Sequence, residues 1–266
     1  MLGVMQTVTS QDGTTIAYER TGTGPAVVLV GGALIDHTEN APLAAVLAAD
    51  FTVYNYDRRG RGGSGDTLPY DRERELEDLA AVLEVAGDDA HLYGVSSGGA
   101  LCLYAAGLTT GRIAAYEVPY NITDDQAKVW QVYTDALDAA LPGDPGAAVE
   151  AFMRLVGTPE DDLAAMRTSP YWPGLEAVGH TLAYDAAFLD DGRPPAEFAA
   201  VTQQTLVLTG VGSDPHMPGV PVDFFGTAAD ALTAVLPNAT RATIPGGAHA
   251  VDAEALAPVL TRFYLS

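Results

Sequence analysis

Gly94-Val95-Ser96-Ser97-Gly98 sets a serine between small residues where a strand-like run, His91 to Val95, meets a helix-forming run, Ala100 to Ala106. A chain that turns so sharply projects the serine hydroxyl away from the backbone, and glycines on either side make the turn feasible. The chemistry expected is attack by Ser96 on a carbonyl carbon, with the Ser97 N–H at the helix start stabilising the oxyanion that forms. In a chain with 28 glycines the five-residue pattern alone is weak, since an ordinary helix N-cap would use the same serine. The strand before it and the helix after it decide for the nucleophile. A base must take the hydroxyl proton, and His249 in Gly246-Gly247-Ala248-His249, between the last strand-like run and the last helical run, is placed to do so.

The base in turn needs a carboxylate to hold its far N–H. Two are placed for this. Glu117 ends the run Ile113 to Glu117, and an apolar strand has little other reason to finish on a carboxylate. Asp214 follows the run Thr205 to Thr209 in Gly210-Val211-Gly212-Ser213-Asp214. Either keeps the chain order serine, acid, histidine. A second oxyanion donor is expected from Val30-Gly31-Gly32-Ala33-Leu34, with Ala33 as the donor and Gly32 and Leu34 beside substrate, because glycines let backbone approach a ligand closely. His91 opens a strand and is not placed as a base; His37 and His180 are not either, although both could touch substrate. Cys102 stands alone in a small apolar helical run, so a buried thiol is expected, with no internal disulfide and no cysteine metal cluster.

These residues need a scaffold that brings distant segments together. Val4 to Ser10 and Thr14 to Glu19, joined by the turn Gln11-Asp12-Gly13, read as an antiparallel hairpin. Ala26 to Val30, Phe51 to Tyr56, His91 to Val95, Ile113 to Glu117, Thr205 to Thr209 and Thr240 to Ile244 read as buried strands of a mostly parallel sheet. Helices are predicted over Pro42 to Ala49, Asp71 to Ala86, Ser97 to Gly107, Asp223 to Leu236 and Ala253 to Tyr264. The rhythm breaks between about 120 and 200, which is helix-rich, proline-interrupted and without a clear strand. It reads as a cap inserted after the sixth strand, leaving 1–119 and 201–266 as the core. Trp130, Tyr133, Met153, Tyr171, Trp172 and Tyr184 within it either line a substrate chamber or form the cap's own core; Met153 and, in its proline-flanked stretch, Trp172 are expected against substrate.

Asp57-Arg58-Arg59-Gly60-Arg61-Gly62-Gly63-Ser64 resembles the D-x-R-G-x-G-x-S loop of α/β-hydrolases, whose charges are structural. That resemblance spans nearly the whole chain and implies their fold: an eight-stranded, mostly parallel sheet with helices on both faces and a cap after the sixth strand. Gly94-Val95-Ser96-Ser97-Gly98-Gly99, Tyr116-Glu117-Val118-Pro119 and Ile244-Pro245-Gly246-Gly247-Ala248-His249 resemble, more narrowly, the fungal zearalenone lactone hydrolase group. This likeness implies Glu117 as the acid and Trp172 as a substrate contact. Haloalkane dehalogenases have a similar fold, but their nucleophile is aspartate, which Ser96 excludes. Many relatives carry a histidine where this chain has Gly31, so Ala33 rests on its place in the loop.

A formal charge of −22 argues against nucleic acid and anionic membrane surfaces as partners. No basic and apolar leader opens the chain, and no stretch reaches the roughly 20 apolar residues of a membrane span, so cytoplasmic residence is expected. No metal, cofactor or phosphate-binding loop is expected. The expected activity is that of a serine hydrolase acting on a small apolar ester or lactone through an acyl-enzyme. Thioester hydrolysis, acyl transfer and C–C cleavage are alternatives on the same serine, as is a non-catalytic small-molecule binder; the oligomeric state is open, with a homodimer among the expectations.

Overall fold

A computed structural model describes residues 4–266. Eight strands form one sheet: β1 (Met5–Thr9), β2 (Thr15–Gly22), β3 (Ala26–Val30), β4 (Thr52–Tyr56), β5 (His91–Val95), β6 (Ile113–Tyr116), β7 (Thr205–Gly210) and β8 (Ala239–Ile244). Their order across the sheet is β1-β2-β4-β3-β5-β6-β7-β8. The hairpin β1–β2 and the β2–β4 pair are antiparallel; every later pair is parallel. β3 is a run of Ala, Val and Leu, and all four residues of β6 are buried, as expected where both faces are covered.

Among the described residues there are ten α-helices: α1 (His37–Leu47), α2 (Arg72–Ala86), α3 (Ser97–Tyr104), α4 (Asp124–Ala140), α5 (Pro145–Leu155), α6 (Glu160–Arg167), α7 (Trp172–Val178), α8 (Leu182–Leu189), α9 (Phe224–Val235) and α10 (Ala253–Tyr264). One apolar cluster, including Val28, Val82, Leu101 and Ile113, packs α2, α3 and the inserted helices against one face of the sheet. A second, including Val27, Leu29, Leu47, Leu208 and Leu260, packs α1 and α10 against the other. Cys102 is fully buried on α3, where desolvation pushes its thiol far up. Among the described residues no helix is long and apolar enough to cross a membrane.

One helix differs from expectation. Pro42 does not open α1 but lies within it, and the helix starts at His37, where the Asp36 carboxylate caps the Thr38 N–H at 2.8 Å. Helices α4 to α8 all lie between β6 and β7 and hold no strand. Because the strands from β3 onward run parallel, the segments that follow β3, β5, β6, β7 and β8 all leave the sheet at one edge. That edge is where an open α/β sheet receives a ligand.

Candidate active site

Ser96 adopts φ 55° and ψ −127°, a backbone region in which a non-glycine residue costs about 1–3 kcal/mol. The turn is held on both sides. The Ser96 N–H donates to the Tyr116 carbonyl at 2.9 Å, and its own carbonyl accepts from Gly99 N–H at 3.0 Å. A Cβ at Gly94 would stand 2.3 Å from the Gly98 carbonyl oxygen, and one at Gly98 would stand 2.5 Å from the carbonyl oxygens of Val30 and Gly31. Only glycines permit so tight a passage between strand, helix and the loop after β3. Four non-glycine residues among those described have positive φ, and three of them, Leu34, Ser96 and Glu117, belong to this edge of the sheet. Strain gathered at one place is held there by its surroundings.

Glu117 follows β6 directly and is buried, with its N–H donating to the Leu208 carbonyl at 2.9 Å. Its Oε1 accepts the Gly210 N–H at 2.8 Å and its Oε2 lies 2.9 Å from His249 Nδ1. The far nitrogen of that ring, Nε2, is left for other chemistry. Phe225 stacks on the imidazole at 4.9 Å between centroids and 14° between planes. Ser96 and His249 line the same cavity, while the ring's side-chain hydrogen bond among the described residues is the one to Glu117. Contacts between a nucleophile and its base commonly close only around substrate.

Asp214 makes its hydrogen bonds to backbone and not to the imidazole. Its Oδ2 accepts the Ala250 N–H at 3.0 Å and its Oδ1 the His216 N–H at 2.8 Å, so it ties the loop after β7 to the loop that carries His249. Burial alone would raise this carboxyl, but the two backbone donors and the nearby imidazoles of His216 and His249 outweigh it and hold it below its ordinary value. Tyr116 adds a third hold, its hydroxyl donating to the Ala248 carbonyl at 2.5 Å.

The cavity encloses about 1090 Å³ between the sheet edge and the inserted helices. Gly32, Ala33, Leu34, Ser96, Ser97 and Met153 line it, joined by Trp130, Tyr133, Phe152 and Phe225. Its ionisable lining is acidic (Glu39, Asp125, Asp162, Asp185, Asp214) apart from His216 and His249, with no lysine or arginine among the described lining residues. Trp172 is a correction. It is absent from the lining and buried in the insertion's own core, with the Arg167 guanidinium 6.0 Å above its ring. Tyr171 is exposed and Tyr184 stacks on Tyr70. His37 and His180 do not line the cavity either; their rings pair with Asp57 and Asp66 at 2.8 and 3.1 Å.

Asp36, His37 and Asp57 bring three ligand-type atoms within 4.8 Å of one another, but Asp36 is spent capping α1 and Asp57 on the His37 backbone and ring. We assign no metal there. Sequence reasoning missed Phe225, Tyr116 and Asp185, because a strand tyrosine and helical phenylalanine or aspartate carry no local pattern that separates them from packing residues.

Replacing Asp214 by Ala is expected to speed amide exchange at Ala250 and His216 about tenfold at neutral pH, with β8 unchanged, measured by hydrogen exchange. Acid has the same sign. A carboxyl held below its ordinary 3.8 contributes fully above that pH and loses its contribution as the pH falls through the folded value.

Three comparisons bear on this arrangement. A solved alpha/beta hydrolase from Sphaerobacter thermophilus DSM 20745 is 46% identical, with a TM-score of 0.85 over 97% of this chain and 100% of that one. Part of the polyketide synthase ThaQ of Burkholderia thailandensis is 28% identical over 270 residues, 92% of this chain and 12% of that protein. The 3-oxoadipate enol-lactonase 1 of Acinetobacter baylyi is 30% identical over 129 residues, 46% of each. The chain thus spans less than half the length of either curated relative. Residues 27–259, from β3 into α10, match the model of the Alpha/beta hydrolase family, and the chain belongs to that family.

Proposed function

We propose that the protein is a serine hydrolase that cleaves neutral, apolar carboxylic esters, lactones among them, through an acyl-enzyme on Ser96. The observation that carries this reading is the 2.9 Å contact of Glu117 with His249 Nδ1, opening onto the cavity that Ser96 enters from a strained turn. Ser96 Oγ attacks the carbonyl carbon while His249 Nε2 takes the hydroxyl proton, and Glu117 steadies the imidazolium. The tetrahedral oxyanion is held by the Ala33 and Ser97 N–H groups, one such donor being worth about 3 kcal/mol. As the C–O bond breaks, the imidazolium protonates the leaving alkoxide. Water then attacks the acyl-enzyme with His249 again as base, and the carboxylic acid leaves. In a lactone the protonated leaving group, now a hydroxyl, stays attached to the acyl chain and departs with it as a hydroxy acid in that second step.

The lactone is supported by the likeness of the Ser96, Glu117 and His249 motifs to the zearalenone lactone hydrolase group and by the enol-lactonase relative. The relative's name describes a lactone of a dicarboxylic acid, whereas Glu39, Asp162 and Asp214, lining acids without an arginine or lysine partner among the described residues, disfavour a carboxylate on the substrate. A neutral chain filling part of a 1090 Å³ apolar space suits it better.

A screen of lactones, short-chain esters and thioesters should give turnover that disappears in Ser96→Ala, and a fluorophosphonate should label Ser96. A folded protein that neither turns over nor labels would be a binding protein. Glu117→Gln should lower kcat by about 10²- to 10⁴-fold, while Asp214→Asn costs much less, the reverse order assigning the acid to Asp214. Between two p-nitrophenyl esters of equal chain length, one ending in a methyl and one in a carboxylate, the neutral one should have the higher kcat/KM, by about tenfold at low salt and less at 0.5 M salt; equal values would remove the charge selection.

A further inference from the structure

The three arginines that follow β4 are all buried, and two of them reach the loop after β3. Arg58 spends Nε and Nη2 on the two oxygens of Glu75, at 2.7 and 2.9 Å, and its Nη1 lies 2.7 Å from Asp185 Oδ1. The same Nη1 donates to the Gly31 carbonyl at 3.3 Å. Arg61 has a single carboxylate partner among the described residues, Asp185 Oδ2 at 2.9 Å. Its Nε donates to Thr181 Oγ1 at 3.1 Å, and its Nη1 donates to the Gly32 carbonyl at 2.6 Å. Asp185 sits on α8 and accepts one further hydrogen bond, from Ser97 Oγ at 2.6 Å.

We propose that Asp185 is a positioning residue for the oxyanion site, holding the Ala33 N–H through Arg61 and the Gly32 carbonyl, so that the site is formed only while the inserted helix α8 is seated. The inference rests on the reading of Ser96 and Ala33 given above. In a trans peptide the C=O of one residue and the N–H of the next point in opposite directions. Pinning the Gly32 oxygen on Arg61 therefore turns the Ala33 N–H away from the arginine. Gly31 and Gly32 give this loop unusual backbone freedom, and a peptide with that freedom rotates unless something outside the loop holds it. Arg61 is what holds it, and a buried guanidinium stays in place only beside its carboxylate. Burial would raise the Asp185 carboxyl, but Arg61 and Arg58 outweigh it and keep it ionised. The other proposed donor is on the same anchor, since Ser97 supplies both a backbone N–H at the start of α3 and the hydroxyl bound to Asp185. One carboxylate from the insertion thus sets both donors, and fixed donors are what make such a site effective.

The charge-neutral double variant Arg61→Met with Asp185→Asn removes the hold and leaves Arg58 paired with Glu75. With p-nitrophenyl butyrate, kcat should fall about 10²-fold with KM within threefold, and a trifluoromethyl ketone that traps Ser96 as a tetrahedral alkoxide should bind about 10²-fold more weakly. Arg61→Lys keeps the ion pair but lacks a fork that spans both Asp185 and the Gly32 carbonyl, and should lose about tenfold in the same two readouts with its melting temperature little changed. If Arg61→Lys is folded and both readouts stay within threefold of wild type, or if KM rises with kcat unchanged, the positioning role is overturned while the hydrolase reading stands. A wild-type protein that neither hydrolyses the ester nor binds the ketone removes the underlying reading and this one with it.

Discussion

His249 is carried by a loop, and a loop does not by itself hold an imidazole in one orientation. The 2.9 Å contact with Glu117 supplies the hold, and much of the surrounding structure serves it. Glu117 is placed by β6, its second oxygen is occupied by the Gly210 N–H at the end of β7, and Phe225 covers one face of the ring. Asp214 and Tyr116 take the backbone on either side, at Ala250 and Ala248. Three strand ends therefore converge on one side chain. The parallel sheet makes this possible, because β6, β7 and β8 all deliver their following residues to the same edge.

A second constraint runs beneath the site. Arg58, Arg59 and Arg61 are buried charges, which persist in a protein interior only when carboxylates and carbonyls surround them. Arg59 is closed off by Asp78 and Asp12 away from the cavity. The other two draw their partners from α2, α8, Ser97 on α3 and the glycine loop at once, so satisfying them joins the inserted helices to the sheet beside the proposed nucleophile. Asp185 also lines the cavity, which places the ion network and the substrate space in direct contact.

The cavity's chemistry follows from the whole chain's charge as well as from its lining. With −22 overall and only one lysine, few cations are available to face inward, and the arginines nearest the site are already committed to carboxylates. Apolar side chains from the insertion and the loop after β7 supply most of the surface.

The sequence by itself determined the sheet and the edge at which chemistry could occur. Alternating apolar runs and helical spacing place strands and helices with small shifts at their ends, and the glycines around Ser96 mark a turn whose tightness no other residue permits. These are local properties, legible because backbone sterics and hydrophobic periodicity act over a few residues. Tertiary structure alone decided which carboxylate meets His249. Glu117 directly follows β6 and Asp214 lies in the loop after β7, both beside the loop that carries His249, and a difference in where two side chains point is a matter of packing, not of spacing. Trp172 turned into the insertion's core for the same reason, since a helix face becomes inner or outer only when its neighbours are in place. Asp185 was beyond sequence reasoning altogether, because an aspartate in a helical run acquires meaning only from buried arginines more than a hundred residues away.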